Sequence, residues 1–390
     1  MKSGFRWEAT IIEDQFILKT KVYSNRQSLQ YLKQIKGFRA FIVSDSIMES
    51  LGYLQQVVDY LSEAGISSTI FTGVRPDPDV ALIADGLKLY RESGADVLVA
   101  IGGGSAIDSA KGILYFSWKF GSAEDEEIKK PLFIAIPSTS GTGSEVTDFS
   151  VITSVGEKVV VIDELIAPDI AILDSTCIQH VPQRVIADTG IDVLVHAIEA
   201  YVSTKATDFT DALAEKAIKL IFENLETLYK DPKNDDARDR VLNASCLAGM
   251  AFTNTGLGIN HSLAHAIGGT FHLSHGRSNA LLLNAVMEYN ADLSGGACGS
   301  AAERYSKLAG VLQLPARTKR EGAVNFMLAV KRLKKALGVE DHIRALGIDQ
   351  AAFTNALEHM AETAALDRCT PTNPRQPSND DLVQIFKKCF

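Results

Sequence analysis

The amino-acid sequence predicts two domains, an α/β domain over residues 1–182 and an all-helical domain over residues 183–390. In the first half, short apolar runs alternate with helical patterns, which indicates a parallel sheet with helices on both faces. After Val181 and Pro182 the strand signals stop, and long alanine- and leucine-rich helical patterns follow. A chain of 390 residues is also too long for one ordinary hydrophobic core.

Composition and charge exclude several classes of protein. The chain is 46% hydrophobic and 22% charged, which is typical of a soluble globular protein. Its formal net charge of -9 argues against binding to nucleic acid. No apolar run approaches the roughly 20 residues of a membrane helix, and residues 1–8 lack the apolar core of a secretion signal. We therefore expect a cytoplasmic protein with neither a nucleic-acid nor a membrane partner.

The cysteines indicate neither a disulfide framework nor a thiolate metal site. They are odd in number, widely scattered and never spaced as CxxC. They are Cys177, Cys246, Cys298, Cys369 and Cys389. Reduced thiols in a cytosolic protein are the simpler interpretation.

Short apolar runs bounded by polar residues predict the strands of the first domain. These runs are residues 39–44, 68–71, 96–101 and 131–136. One helix is expected over residues 48–63, and another begins at 76–79 and ends near 93–94. In the second domain the helical patterns cover residues 186–203, 211–229 and 237–253.

A glycine triplet follows the clearest predicted strand and opens a helix. Gly102, Gly103 and Gly104 are followed by Ser105 and Asp108. Glycines allow close approach of a ligand to the backbone, and free amides at a helix N-terminus attract phosphate. The pattern is not GxGxxG, and glycine also occurs in strand-to-helix turns that bind nothing. Its position at the carboxyl end of a strand favours a ligand site.

A second loop with hydroxyl groups and glycines follows the next predicted strand. Residues 137–147 include Ser138, Thr139, Thr142 and Ser144, which can donate to phosphate, ribose or amide groups. A flexible surface turn is the alternative interpretation. Two such loops after neighbouring strands favour a dinucleotide over a mononucleotide.

The second domain contains a carboxylate and several histidines at helical spacing. Asp192 and His196 are four residues apart, as are His261 and His265, and His275 follows. A single histidine on an apolar helix is more often a packed core residue. Several together with an aspartate predict a divalent metal site, and imidazole with carboxylate suits Fe(II) or Zn(II).

Together these segments resemble the iron-containing (group III) alcohol dehydrogenase family over nearly the whole chain. The matching segments are residues 102–111, 137–147, 189–201, 261–265, 275–280 and 369–375. The resemblance implies a Rossmann-like dinucleotide-binding domain joined to a helical metal-binding domain, the fold shared with dehydroquinate synthase. The active site is then expected in the cleft between the two domains.

The resemblance also implies roles for individual residues. Asp192, His196, His261 and His275 correspond to the ligands of one divalent metal, with Fe(II) favoured over Zn(II). His265 corresponds to a histidine near the nicotinamide that does not bind the metal.

The cofactor implied by the resemblance is a nicotinamide dinucleotide. Asp45 matches the acidic residue after the first strand, which would accept hydrogen bonds from a ribose 2′-hydroxyl and repel a 2′-phosphate. It therefore favours NAD over NADP, although Asp45 can instead be only a helix cap. Lys158 is also expected to contact the cofactor.

The implied activity is hydride transfer between nicotinamide and a small primary alcohol or aldehyde, of the propanol, ethanol, butanol or diol type. The metal would stabilise the alkoxide or polarise the aldehyde oxygen. His265 is expected to relay the proton, since imidazole titrates near neutral pH. The alternative is that His265 only packs under the nicotinamide.

Several departures from the family pattern leave the substrate open. The family often has a glycine pair after its first aromatic residue, where this chain has Tyr23-Ser24-Asn25. Asp77 replaces an asparagine, and Ala285 replaces a histidine. The chain is similar to the branch that contains propanol dehydrogenases. The alternatives are a glycerol dehydrogenase-like polyol oxidoreductase, a dehydroquinate synthase-like lyase and a non-catalytic scaffold. A homodimer or larger homo-oligomer is expected, with association with a bacterial microcompartment as a further hypothesis.

Overall fold

The structure is a computed structural model, and it describes residues 16–123, 129–154, 157–293, 298–340 and 342–390. Residues 1–8, on which the expectation of no secretion signal rests, lie outside these ranges. Within the described part, none of the helices combines the length and the apolar composition needed to cross a lipid bilayer.

The strands all lie in the first half of the described chain. They are β1 (Lys21–Ser24), β2 (Arg39–Asp45), β3 (Ser67–Val74), β4 (Val97–Gly102), β5 (Leu132–Pro137), β6 (Phe149–Ser154), β7 (Glu157–Ile162) and β8 (Ile170–Leu173). The α-helices of the first half are α1 (Ser46–Ser50), α2 (Tyr53–Glu63), α3 (Val80–Ser93) and α4 (Gly104–Ala123).

The second half of the described chain is helical. Its helices are α5 (Gln183–Val202), α6 (Asp208–Lys230), α7 (Asp235–Thr255), α8 (Ile259–Phe271), α9 (His275–Ala291), α10 (Ser300–Val311), α11 (Lys319–Ala336), α12 (Gln350–Leu366) and α13 (Asn379–Cys389). The helical patterns at 186–203, 211–229 and 237–253 correspond to α5, α6 and α7, each within about three residues. Helix α5 begins at Gln183, and the domain boundary at residue 182 stays a prediction.

Six strands form one parallel sheet in the order β1-β8-β5-β4-β2-β3, and β6 and β7 form a separate antiparallel pair. The four predicted strands are all present. The sequence analysis missed β1, β8 and the β6–β7 pair, so the strand at residue 39 is the second strand of the described residues and not the first. The strands β1 and β8 have only four residues each, too few for a clear alternating pattern.

The sheet is buried on both faces because its central strands are continuously apolar. All six residues of β4 are buried. Phe41 and Leu98 face a core that includes residues of α3 and α4, whereas Ile42 and Val99 face the opposite core with residues of α2. This arrangement is expected for a parallel sheet between two helical layers.

The chain leaves the neighbouring strands β2 and β4 in opposite directions. From β2 it runs to β3 at one edge of the sheet, and from β4 it runs to β5 on the other side. Ligands of open α/β sheets bind at such a switch point, beyond the carboxyl ends of the strands. Asp45 ends β2 and Gly102 ends β4, so the topology places both at this position.

The prediction of a single helix over residues 48–63 is wrong in one respect, because the structure has two helices there, α1 and α2. Gly52 adopts a left-handed conformation with φ of 80° and interrupts the helix. Asp45 caps α1, and its side chain accepts hydrogen bonds from the amides of Ile47 and Met48. The capping interpretation of Asp45 is therefore confirmed, and it leaves the second carboxylate oxygen available.

Candidate active site

Three helices bring the predicted metal ligands together. Asp192 and His196 lie one turn apart on α5, His261 lies in the first turn of α8, and His275 is the first residue of α9. One ligand atom from each of these four side chains lies within 4.8 Å of all the others. The first and the last of these residues, Asp192 and His275, are 83 positions apart in the sequence. Only the tertiary fold brings them together.

Buried nitrogen atoms in this cluster lack hydrogen-bond partners among the described residues. They are Nε2 of His261 and Nδ1 of His196. Nε2 of His261 lies 3.9 Å from Oδ1 of Asp192, and Nε2 of His275 lies 3.7 Å from the same oxygen. A buried polar atom without a partner is costly. A divalent cation between Nε2 of His261, Nε2 of His275 and Oδ1 of Asp192 would remove that cost at His261, so the residues present fit the metal that the sequence predicts.

The protonation states also suit a cation. Burial lowers the pKa of His196 to about 4 and holds the pKa of His261 well below its ordinary value. These rings are therefore neutral near pH 7 and offer lone pairs. Burial raises the pKa of Asp192, because the charged carboxylate is poorly solvated there. A neighbouring cation would stabilise the charged form.

The ligands are held by further buried groups that the sequence analysis did not assign. Nδ1 of His261 contacts a carboxylate oxygen of Glu199, one of the interactions that fix which ring nitrogen faces a metal. Asn279 donates a hydrogen bond of 2.8 Å to Oδ1 of Asp192. The ring of Phe252 stacks on His196 with a centroid distance of 4.5 Å.

The metal cluster and the glycine loops line one cavity of about 450 Å³. Six of the predicted cofactor residues line it, namely Gly104, Ser105, Asp108, Thr142, Ser144 and Lys158. The other five, Asp45, Gly102, Gly103, Ser138 and Thr139, are outside the residues that line it. Their contact with a cofactor stays a prediction, as it does for the six.

The glycines of the two loops are close to neighbouring atoms. Gly102 has a φ of 154°, and a Cβ there would lie 2.6 Å from Cβ of Ala106. A Cβ at Gly104 would lie 2.8 Å from Thr142, so the two loops touch each other. At Gly103 the nearest atom, in Thr139, would lie at an ordinary contact distance of 3.5 Å.

The second loop also packs against the helical half of the chain. A Cβ at Gly141 would lie 2.8 Å from Cβ of Thr189 on α5. Gly143 has a φ of 62°, and a Cβ there would lie 2.8 Å from Cα of Gly249 on α7. The loop therefore fills the space between the sheet and the helix that carries Asp192 and His196.

A buried lysine fixes the second loop in place. Lys111 donates hydrogen bonds to the carbonyl oxygen of Ser144 at 2.7 Å, to Oγ1 of Thr147 at 2.8 Å and to the carbonyl oxygen of Phe149 at 2.8 Å. Oγ of Ser144 donates to Asp108 at 2.8 Å. Burial lowers the pKa of Lys111 to about 8, with nearby carboxylates opposing this shift. These bonds argue against the alternative of a flexible surface turn.

His265 lines the same cavity but lies outside the four-residue metal cluster. Its Nδ1 lies 2.8 Å from Oδ2 of Asp367, and its ring stacks on His275 with a centroid distance of 5.4 Å. Burial opposes ionisation of Asp367, but hydrogen bonds from His265 and from the amide of Cys369 prevail and lower its pKa to about 2. The charged carboxylate orients the imidazole, which leaves Nε2 as the nitrogen available to a ligand.

Basic side chains also line the cavity. Nζ of Lys158 on β7 lies 2.9 Å from Oδ1 of Asp77. This ion pair joins the β6–β7 pair to the segment before α3. Lys205 and Arg368 come from the helical half. Lys158 was predicted as a cofactor residue, whereas Lys205 and Arg368 belong to no motif that the sequence analysis used.

Models of one protein family match most of the chain. The model described as iron-containing alcohol dehydrogenase matches residues 19–175. The model described as the C-terminal part of the Fe-containing alcohol dehydrogenase family matches residues 186–390.

Curated proteins of this family are similar over 96% of the chain. An NADPH-dependent butanol dehydrogenase of Clostridium saccharobutylicum is 39% identical and is covered over 97% of its length. A 1-propanol dehydrogenase of Citrobacter freundii is 40% identical and is covered over 99%. An aldehyde-alcohol dehydrogenase of Streptococcus pneumoniae is 39% identical, but the chain spans only 45% of its length.

A solved structure confirms the fold. An iron-containing alcohol dehydrogenase from Thermococcus thioreducens is 35% identical, with a TM-score of 0.87 over 96% of this chain and 99% of that one. The predicted architecture of a parallel sheet followed by a helical half is thereby confirmed. The family resemblance found in the sequence is confirmed as well: the chain belongs to the iron-containing alcohol dehydrogenase family.

Proposed function

We propose that this protein is a metal-dependent NAD(H) alcohol dehydrogenase or aldehyde reductase that acts on small primary alcohols and aldehydes. The observation that carries the proposal is the single cavity shared by the ligand cluster and the two glycine loops. A nicotinamide dinucleotide on the loops would extend toward the metal ligands. The reacting carbon of an alcohol would then lie between them.

Asp192, His196, His261 and His275 are proposed to hold one Fe(II), with Zn(II) as the alternative. Three neutral imidazoles and one carboxylate leave a bound divalent ion with net positive charge, which supplies Lewis-acid stabilisation of an alkoxide or an aldehyde oxygen. Glu199 and Asn279 keep two of these ligands in place through the contacts described above.

The other cavity residues would bind and orient the cofactor and the substrate. The amides at the start of α4 would bind the pyrophosphate, and Lys158 would lie beside the dinucleotide. Phe149, Phe252 and Leu257 form an apolar wall that favours a short aliphatic chain and excludes water. Nε2 of His265 would accept the hydroxyl proton during oxidation and return it during reduction.

Small alcohols are the proposed substrates. The cavity of about 450 Å³ must also accept part of the dinucleotide, because residues of both glycine loops line it, and this restricts the space left for the substrate. The full-length relatives are named for butanol and 1-propanol. For the aldehyde-alcohol dehydrogenase the chain matches less than half of the protein, so any activity of the remainder belongs to that protein alone.

The proposal is tested by following NADH absorbance when metal-loaded protein is mixed with NADH and propanal. Oxidation of NADH that requires both the metal and the aldehyde is the expected result. Faster turnover of glycerol with NAD would favour a polyol oxidoreductase instead. Conversion of a phosphorylated acidic substrate without net change in NADH would favour a lyase, and absence of every activity would favour a scaffold.

The preference for NAD over NADP is proposed to depend on Asp45. Asp45→Ser keeps a side-chain oxygen that can cap α1 and removes the negative charge. Since a carboxylate repels a 2′-phosphate, the ratio of kcat/KM for NADH to that for NADPH should fall about tenfold or more. Both ratios are measured with the same aldehyde.

The control for this substitution is Asp349→Ser. Asp349 caps α12, where its side chain accepts a hydrogen bond from the amide of Ala352 at 2.9 Å. It should leave the cofactor ratio unchanged. An unchanged ratio in Asp45→Ser would restrict Asp45 to its capping role.

A homodimer or larger homo-oligomer is also proposed. Phe38, Phe209 and Leu366 are 82%, 67% and 89% exposed and are candidate contact residues for such an assembly. Light scattering of the purified protein would give the mass of the assembly. Association with a bacterial microcompartment stays a prediction from the sequence.

A further inference from the structure

The helix that begins with the ligand His275 is attached to α5 by contacts on both sides of that residue. Before it, Oγ of Ser274 donates a hydrogen bond of 3.4 Å to Oδ2 of Asp188. After it, a terminal nitrogen of Arg277 lies 2.6 Å from Oδ1 of the same carboxylate. Asp188 precedes the ligand Asp192 by one turn of α5. One carboxylate therefore contacts residues on both sides of His275.

Packing at Gly276 makes this attachment close. A Cβ at Gly276 would lie 2.5 Å from the carbonyl oxygen of Asp188, so only glycine permits the observed approach of α9 to α5. The first turn of α9 is thus held against the backbone and the side chain of Asp188.

Arg277 is buried and makes a second ion pair. Its side chain is 4% exposed, and its other terminal nitrogen contacts a carboxylate oxygen of Glu340, which follows α11. A planar guanidinium can bind two carboxylates at once in fixed directions, which a lysine ammonium does less well. Arg277 therefore joins α5, α9 and the segment after α11 at a distance of two residues from His275.

We propose that Asp188, Arg277 and Glu340 form a buried clamp that positions His275 against Asp192 and so sets the affinity of the metal centre. The inference rests on the proposed metal site and adds positioning residues that do not touch the metal. Without the clamp, the first turn of α9 loses the contacts that fix His275. A ligand that is no longer held in place binds its metal more weakly.

The test is metal affinity, measured by chelator competition against metal-loaded protein with Fe(II) and with Zn(II). Arg277→Gln should weaken binding about 10- to 100-fold, the range typical for residues that support metal ligands. Arg277→Lys keeps the charge but not the double contact, and it should give an intermediate loss. Ser274→Ala, a milder change that removes one hydrogen bond, should weaken binding a few-fold.

The matched control is Arg238→Gln. Arg238 is also 4% exposed and donates a hydrogen bond of 2.9 Å to the buried carbonyl oxygen of Ser175, but it belongs to neither the cavity nor the ligand cluster. It should lower the melting temperature of the apoprotein without changing metal affinity. Asp188→Asn combined with Arg277→Gln should bind metal no more weakly than Arg277→Gln alone, since the contact between Asp188 and Arg277 is already lost in the single variant.

Wild-type metal affinity in both Arg277→Gln and Ser274→Ala would overturn the clamp. A loss in Arg277→Gln equal to that in Arg238→Gln would also overturn it, because it would reflect only the loss of a buried arginine. If Arg277→Gln does not fold, Arg277→Lys and Ser274→Ala still decide the question. A His275→Ala protein that retains its metal would instead disprove the metal site itself, so the two failures are distinguishable.

Discussion

Replacing His275 or His261 with alanine is expected to remove both the bound metal and alcohol oxidation. Each substitution deletes one of four ligand atoms that lie within 4.8 Å of one another. The loss of metal affinity should exceed the roughly 10- to 100-fold that is typical for supporting residues. Binding of NADH should be largely retained, because the glycine loops belong to the other half of the chain. Metal content and NADH fluorescence are measured on the same samples.

The control for this experiment is His359→Ala. His359 is exposed on α12 and lies outside the cluster, so its loss should change neither metal content nor activity. A His275→Ala protein with full metal content and full activity would show that the ligand assignment is wrong. Loss of NADH binding together with the metal would mean that the two sites are not independent.

Replacing His265 with alanine should leave the metal in place and reduce turnover on the order of 100- to 10,000-fold, the usual contribution of a positioned acid or base. The structure supports this expectation, because Asp367 engages Nδ1 and leaves the other ring nitrogen free for proton transfer. One limb of the pH–rate profile should shift or disappear with the imidazole. Asp367→Asn should lower turnover in the same direction but less.

The alternative role of His265 makes a different prediction. If the ring only packs under the nicotinamide, His265→Ala should chiefly raise the KM for the cofactor and leave the pH dependence of turnover unchanged. Loss of metal would instead make His265 a ligand. Steady-state rates across pH, with metal content determined for wild type and variant, separate the three outcomes.

The features that the sequence predicted are local ones. The pairing of Asp192 with His196 is visible because helical periodicity places residues four apart on one face. The glycine triplet is visible because it directly follows a buried apolar run. In both cases the information lies within about ten consecutive residues, and the family resemblance then joined the segments into one site.

The features that the sequence did not predict depend on distant residues. Asp367 contacts His265 across 102 positions, and Arg277 contacts Glu340 across 63. No spacing rule relates such pairs, since only the packing of α12 and of the segment after α11 brings them together. The hairpin of β6 and β7 is different, because it pairs residues no more than 13 positions apart, such as Phe149 with Ile162. That information was local, and the sequence analysis did not use it.

The close packing of the loop glycines has a consequence for protein engineering. Side chains introduced at Gly102, Gly104, Gly141 or Gly143 would collide with neighbouring atoms at less than 3 Å, and at Gly143 the neighbour is backbone. Gly103 would admit a small side chain at ordinary contact distance. A mutant library designed to change the cofactor should therefore vary Asp45 and Gly103 and keep the other four glycines constant. Such a library leaves the close contacts of those four glycines intact while it varies the proposed cofactor contacts at Asp45 and Gly103.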